Sequence, residues 1–327
     1  MRVVNKTYLK KIWKIIAATF NGFIEDNGLK HSASLAYYTV FSIAPLLILV
    51  ISLAGFFLGQ DAITNNLYPQ IKGYVGAPAA AQIQEMIKNL QLSGKTGLAV
   101  IIGIVTLLIG ASSIFVEIQD SLNIIWRVKA KPKKGWVKML TNRFLSFSLI
   151  ISFGFLLLVS LVINILILSL SDRLTKFLPG VTIWIINGIN IGITFIVISV
   201  LFAIIFKFLP DVKIRWKDVR AGAFFTAILF MIGRYLIGLY IEFSATSFST
   251  YGAAGSLIVI LVWIYYTAAI LYIGAEFTEV YAEARGCRIE PAEYAVSVRQ
   301  TEVEVEVKTL PVHHPEIKAA LKPKDEA

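Results

Sequence analysis

Arg234 lies within the apolar stretch Val219–Ile241, where a charge most needs an explanation. A guanidinium in hydrocarbon costs several kcal/mol unless it is paired or wet. Its forked donors grip phosphate or carboxylate oxygens in pairs. At about 1.5 Å per residue, Arg234 sits about 22 Å from one membrane edge and about 8 Å from the other. Asn164, Asn187 and Asn190 fall at a similar depth. With Glu242 as a neutralising partner, these residues make a candidate pocket for an anionic headgroup. The alternative is that Arg234 reaches to the nearer interface while the asparagines bond across helices. Tyr265 and Tyr266 fall near mid-membrane in a later apolar stretch. There they either line a cavity or pack with one interhelical hydrogen bond.

A second group of residues suits proton exchange. Glu117, Asp120 and Asn123 are spaced three apart and so follow one side of a helix. Asp211 follows Pro210, and Glu276 and Glu279 lie near the end of the last apolar stretch, with Arg127 and Arg215 in the same regions. One reading is a salt-bridge and capping network that closes the inner mouth. The other is a gate or proton-coupling site with Glu117 or Glu276 as the titrating group, since apolar surroundings favour the neutral form of a carboxyl.

Other chemistries find little material here. The 3 histidines are His31, His313 and His314, and the single cysteine is Cys287. Adjacent histidines in a polar tail are a poor metal geometry, and one thiol forms no intrachain disulfide. Neither a Gly-rich phosphate loop nor a Ser/His/Asp set appears. No cofactor, metal or catalytic residue is therefore expected, and the chain reads as a non-enzyme.

The elements that must position these residues are six apolar runs: Leu35–Leu58, Gly97–Phe115, Phe144–Leu170, Ile183–Phe206, Val219–Ile241 and Ser256–Val280. Each is about as long as the roughly 20 residues that cross a hydrocarbon core of about 30 Å. The composition, 57% hydrophobic and 16% charged, agrees. Lys and Arg gather in residues 1–34, 127–143, 207–220 and 285–324. The alternate gaps hold only Lys72, Lys88, Lys95, Arg173 and Lys176. Basic loops stay on the cytoplasmic side. The expected fold is thus all-α: a polytopic membrane protein with six transmembrane helices and both termini cytoplasmic. The net charge of +10 then reflects topology and contact with anionic lipid, not nucleic acid.

Residues 1–34 hold an amphipathic helix, in which Leu9, Ile12, Trp13, Ile16, Phe20, Phe23 and Ile24 recur at helical spacing beside Lys10, Lys11 and Lys14. It lies in the headgroup plane, packs on the bundle, or does both. Residues 35–284 form the transmembrane domain, with an outside helical loop at 59–96 broken around Pro69 and Pro78. Pro45 kinks the first span. Gly188-x-x-x-Gly192 and Gly222–Ala223 offer smooth faces for helix packing. Residues 285–327 read as a mostly disordered cytoplasmic tail. Its alternating Val303, Val305 and Val307 resemble a strand that lacks a partner.

Four stretches carry a family resemblance. The first span begins His31-Ser-Ala-Ser-Leu-Ala-Tyr-Tyr and continues to Ala44-Pro45-Leu-Leu. The second ends Phe115-Val-Glu117-Ile-Gln-Asp120-Ser-Leu-Asn123-Ile-Ile-Trp126. Phe208-Leu-Pro210-Asp211-Val-Lys-Ile-Arg215-Trp216 follows the fourth. The sixth region carries Tyr251-Gly-Ala-Ala-Gly255, Trp263-Ile-Tyr-Tyr and Gly274-Ala-Glu276-Phe-Thr. From about Lys10 to Ala284 the chain resembles the YihY/BrkB family of bacterial inner-membrane proteins, formerly labelled ribonuclease BN. The resemblance implies six spans, internal termini and a multi-pass place in the bacterial inner membrane. It brings no catalytic residue with it.

The expected function is a transporter or flippase of an amphipathic, anionic envelope molecule. Membrane lipids are the expected partners, with self-association left open. The alternative is a non-transporting scaffold for envelope integrity or resistance. Ribonuclease activity is not expected, because RNA hydrolysis needs acid–base groups in a cleft that six spans without a soluble domain do not supply.

Overall fold

The computed structural model describes residues 6–42, 113–131, 148, 152, 179–244 and 253–299. The chain divides into two compact units, Met1–Ser297 and Val298–Ala327, and the second is described only at Val298 and Arg299. The loop at 59–96, most of the first three apolar runs, Pro45 and Asn164 lie outside the described residues.

The first unit is mostly helical. Helix α1 (Lys6–Glu25) is followed by helical residues 28–42, labelled α2, and 113–125, labelled α3. Strand β1 (Val128–Ala130) comes next, then α4 (Pro179–Phe208), β2 (Val212–Lys213), α5 (Trp216–Phe243), α6 (Ala253–Ala284), β3 (Glu290–Pro291) and β4 (Ala295–Ser297). Within α4, α5 and α6, Gly188–Phe208, Trp216–Tyr240 and Leu257–Ala284 are long and apolar enough to cross a membrane. The chain is thus a helical membrane protein with at least these three candidate spans.

Proline and charge set the local boundaries. Pro210 cannot continue α4, so the chain turns through Asp211 and re-enters a helix after Arg215, whose backbone is extended (φ −79°, ψ 142°). Asp218 supplies negative charge in the first turn of α5, where the exposed N–H groups favour it. The α1–α2 joint is equally short. Asn27 takes a left-handed conformation (φ 55°), which asparagine tolerates, and the next helix begins with His31 N–H bonded to the Asn27 carbonyl.

Helix α5 packs against both α4 and α6. The buried positions of α5, namely Val219, Gly222, Ala223, Thr226, Ala227, Phe230 and Gly233, repeat at 3–4 residue spacing and form one stripe. That stripe meets α6 through small residues. A Cβ at Gly222 would collide with Thr278, one at Gly274 with Thr226, and one at Gly233 with the Tyr266 ring. Nothing described comes within 4 Å of a Cβ at Gly188 or Gly192, so the smooth face expected on α4 has no neighbour among the described residues. The core gathers where α4 turns into α5, around Leu122, Ile125, Phe206, Leu209, Val219 and Tyr272. Helix α1 packs on α6 through Thr19 and Phe23.

The start of the tail carries two short strands. Residues 290–297 are structured, with β3 pairing antiparallel to β2 and β4 to β1. Val303, Val305 and Val307 lie outside the described residues.

Candidate functional site

Asp211 is the hub of the turn end. It is 2% exposed, and its carboxylate accepts hydrogen bonds from Gln119 Nε2 (3.1 Å), Asn123 Nδ2 (3.0 Å) and the Tyr294 hydroxyl (3.0 Å). Its own N–H donates to Asn123 Oδ1 at 2.8 Å, and its carbonyl accepts from Ala292 N–H at 2.9 Å. Gln119 and Asn123 stand one turn apart on α3, so one helix face presents both amides. The sequence reading included Asp211 and Asn123 but missed Gln119 and Tyr294. The i, i+4 amide pair was the available signal; nothing local marked Tyr294.

Arg215 Nε bonds Asp218 Oδ2 at 3.1 Å, and Arg285 Nη1 lies 3.7 Å from Asp218 Oδ1. This joins the start of α5 to the end of α6. Lys213 of β2 meets Glu293 at 2.9 Å, an exposed pair of little energetic weight.

The trio on α3 is split. Asn123 is buried in the Asp211 clasp, Glu117 is half-buried and Asp120 is exposed, so three-residue spacing has rotated the middle one outward. Glu117 acts electrostatically on His31. The His31 Nδ1 lies 3.4 Å from Ser121 Oγ, and its ring meets Tyr272 edge-on with centroids 6.3 Å apart. Burial lowers the His31 pKa from 6.5; Glu117 opposes the shift, Lys30 adds to it and Asp26 opposes it.

Glu276 is 3% exposed and meets α1. A Cβ at Gly22 would lie 2.7 Å from its Oε2, so a side chain there would push the carboxyl aside. One turn along α1, the half-buried Asp26 lies near enough to Glu276 to act on it electrostatically. Burial raises the Asp26 pKa from 3.8, with nearby Arg127 acting against it. Arg127 ends α3 in a left-handed conformation (φ 52°) that an arginine rarely adopts. Glu276 Oε1 and the Tyr272 hydroxyl have no hydrogen-bond partner among the described residues. Asp26 was absent from the sequence expectation, because it precedes the apolar runs.

Of the pocket expected around Arg234, Asn164 lies outside the described residues. Arg234 and Asn190 are half-buried, Glu242 is exposed, and the side chain of Asn187 is not described. Tyr266 packs on Gly233 and reaches the Leu229 carbonyl at 3.5 Å, which is the packing role; Tyr265 is half-buried.

The family model described as Virulence factor BrkB matches residues 19–297 and ends with β4. Among curated proteins, the chain is similar to a ribonuclease-like protein, YfkH, of Bacillus subtilis (strain 168), with 26% identity over 79% of this chain and 91% of the relative. A UPF0761 membrane protein of Vibrio vulnificus (strain CMCP6) is 27% identical over 84% of each chain. Another, from Verminephrobacter eiseniae (strain EF01-2), is 26% identical over 81% of this chain, which spans only 62% of that relative. No solved structure matches the chain.

Proposed function

Because the chain belongs to the virulence factor BrkB family of membrane proteins, we propose that it is a multi-pass transporter or flippase of the bacterial inner membrane. Its cargo is an amphipathic envelope molecule with an anionic headgroup. The topology that goes with this reading is six spans with both termini cytoplasmic, which puts the turn end at the inner face.

The observation that carries the reading is the polar cluster within the bundle. Glu276 and Tyr272 bring a carboxyl and a hydroxyl into an apolar core, and Glu276 Oε1 has no hydrogen-bond partner among the described residues. A purely structural bundle gains nothing from that cost. A bundle that exchanges protons or shifts its packing does. Arg234, with Asn164, Asn187 and Asn190, is the proposed headgroup contact on the opposite side. The sequence does not name an energy source; an ion gradient, a partner ATPase or downhill movement each fits.

The test is reconstitution with a fluorescent anionic phospholipid in proteoliposomes. Translocation above protein-free vesicles is expected, with at least about a tenfold loss in Arg234→Gln if the guanidinium grips the headgroup. An unchanged rate in Arg234→Gln rejects the headgroup contact, and no translocation rejects transport.

A second reading, a static scaffold for envelope integrity, draws on the Asp211 clasp and the close α5–α6 seam, both of which resist motion. RNA hydrolysis, suggested by the name of the Bacillus relative, is expected to be absent when highly purified protein is assayed on RNA.

A further inference from the structure

We infer that the turn between α4 and α5 carries a binding site for an anionic phospholipid of the surrounding bilayer. Lys217 and Arg220 hold its phosphate beside the Trp216 ring, and its acyl chains lie along the outer stripe of α5. The site goes beyond the transport reading and stands apart from it, since a lipid that stays bound is enough.

The charges of the turn are sorted by side. Both acids of residues 207–220 face inward: Asp211 is held by Gln119, Asn123 and Tyr294, and Asp218, 1% exposed, by Arg215 and Arg285. Lys213, Arg215, Lys217 and Arg220 are exposed. Lys213 is matched by Glu293 and Arg215 by Asp218. Lys217 and Arg220 meet no carboxylate among the described residues. They stand three apart on α5 and so share a side of the helix. Arg220 Nε donates to the Trp216 carbonyl at 3.3 Å. That bond folds the guanidinium back toward the turn and leaves its other N–H groups for acceptors outside the protein. A forked donor beside an ammonium suits the oxygens of a phosphate.

The ring beside them is held in place. Trp216 is 49% exposed, meets Phe208 edge-on with centroids 6.0 Å apart, and has Lys207 Nζ 5.7 Å from its centre. Lys207 also donates to the Ile214 carbonyl, which anchors the ammonium at the turn. Trp216 opens the candidate span Trp216–Tyr240. An indole at the end of a span sits where headgroups meet acyl chains.

Beyond the ring the surface turns apolar. Arg220, Phe224, Ile228 and Ile232 follow Trp216 at every fourth residue of α5, and all are exposed. The Phe224 ring stands against Phe195 of α4 with centroids 4.9 Å apart. From Arg220 to Ile232 the stripe runs about 18 Å, at about 1.5 Å per residue, against about 15 Å for half of a hydrocarbon core. The apolar track is thus one leaflet deep. Charged head, interfacial ring and apolar track match the parts of a phospholipid in order. A soluble acidic partner would leave the track uncovered.

The test is native mass spectrometry of delipidated full-length protein in a neutral detergent, titrated with phosphatidylglycerol or with phosphatidylcholine. Phosphatidylglycerol is expected to bind at least about tenfold more tightly, and Lys217→Gln with Arg220→Gln to remove that preference. Lys129→Gln with Lys131→Gln deletes the same charge from exposed lysines flanking Ala130 of β1 and is expected to leave the preference in place. No preference in the native chain, or an equal loss in the two double variants, overturns the site. Lys217→Glu alone reverses one exposed charge and is expected to weaken phosphatidylglycerol more than phosphatidylcholine; equal effects on both overturn it as well. Inorganic phosphate is the competing arm. Displacement of the lipid by phosphate at equal concentration would leave an anion site without the apolar track, and this too overturns the proposal.

Discussion

Thr278 of α6 fills the space that a side chain at Gly222 of α5 would need, and Thr226 of α5 does the same to Gly274 of α6. Each threonine also bonds the carbonyl of the glycine one turn earlier on its own helix, at 2.7 Å in both cases. The two Gly-x-x-x-Thr segments are therefore reciprocal. The hydroxyls are satisfied within their own helices, and the close approach of the two backbones rests on the missing side chains.

Gly222→Leu and Gly274→Leu should each destabilise the bundle by about 1–3 kcal/mol, because the displaced threonine has packed helix behind it. Gly188→Ala, which meets nothing among the described residues, should change little. Thermal melts in detergent check both, and equal melting temperatures for all three variants would contradict the seam.

The Asp211 clasp is expected to be intolerant of an amide. Asp211→Asn sets an NH2 group against at least one of the donors now facing the carboxylate, at a cost of roughly 1–3 kcal/mol. Tyr294→Phe removes one hydrogen bond, worth about 1 kcal/mol, and should loosen the tail first. Limited proteolysis within residues 286–299 reads this directly.

The same bond gives the tail a pH dependence. Burial, then the charge and hydrogen bond of Asp211, push the Tyr294 phenol from 10.0 up to about 12. A raised acid favours the protonated, docked form. Its contribution is full below pH 10.0 and is lost as pH climbs through about 12. Hydrogen exchange in β4 should rise across that window in the native chain and lose the dependence in Tyr294→Phe.

His31 works in the opposite sense. Its pKa is lowered by burial, so its contribution is full above 6.5 and falls as pH drops through the lowered value. Acidification should loosen the α2–α3 contact at Ser121. His31→Gln, which cannot charge, should remove that part of the acid sensitivity in a melt series.

Helix α1 presents Ile12, Trp13, Phe20 and Ile24 outward, with Trp13 71% exposed beside exposed Lys10, Lys11 and Lys14. This face should sit at the headgroup level of an anionic bilayer. A spin label at Trp13→Cys, with Cys287→Ser, should report shallow membrane depth. Lys10→Gln, Lys11→Gln and Lys14→Gln together should weaken that contact by about 1 kcal/mol per lysine. A fully aqueous label would remove the interfacial role.

The sequence by itself determined the class of molecule. Apolar runs of spanning length, helix-stopping Pro210 and the amphipathic spacing of α1 are local signals, and α4, α5 and α6 begin and end within a few residues of their runs. The family resemblance was legible for the same reason, since its motifs are short and contiguous. What only the tertiary structure decided is which polar group meets which. Asp211 and Tyr294 are 83 positions apart, and Glu276 on the last helix described lies against Gly22 of α1. Periodicity tells which face of a helix is buried but not which neighbour lies against it. A hydrogen-bond partner is fixed by that neighbour, so the clasp and the strapped tail emerged only once the helices were set side by side.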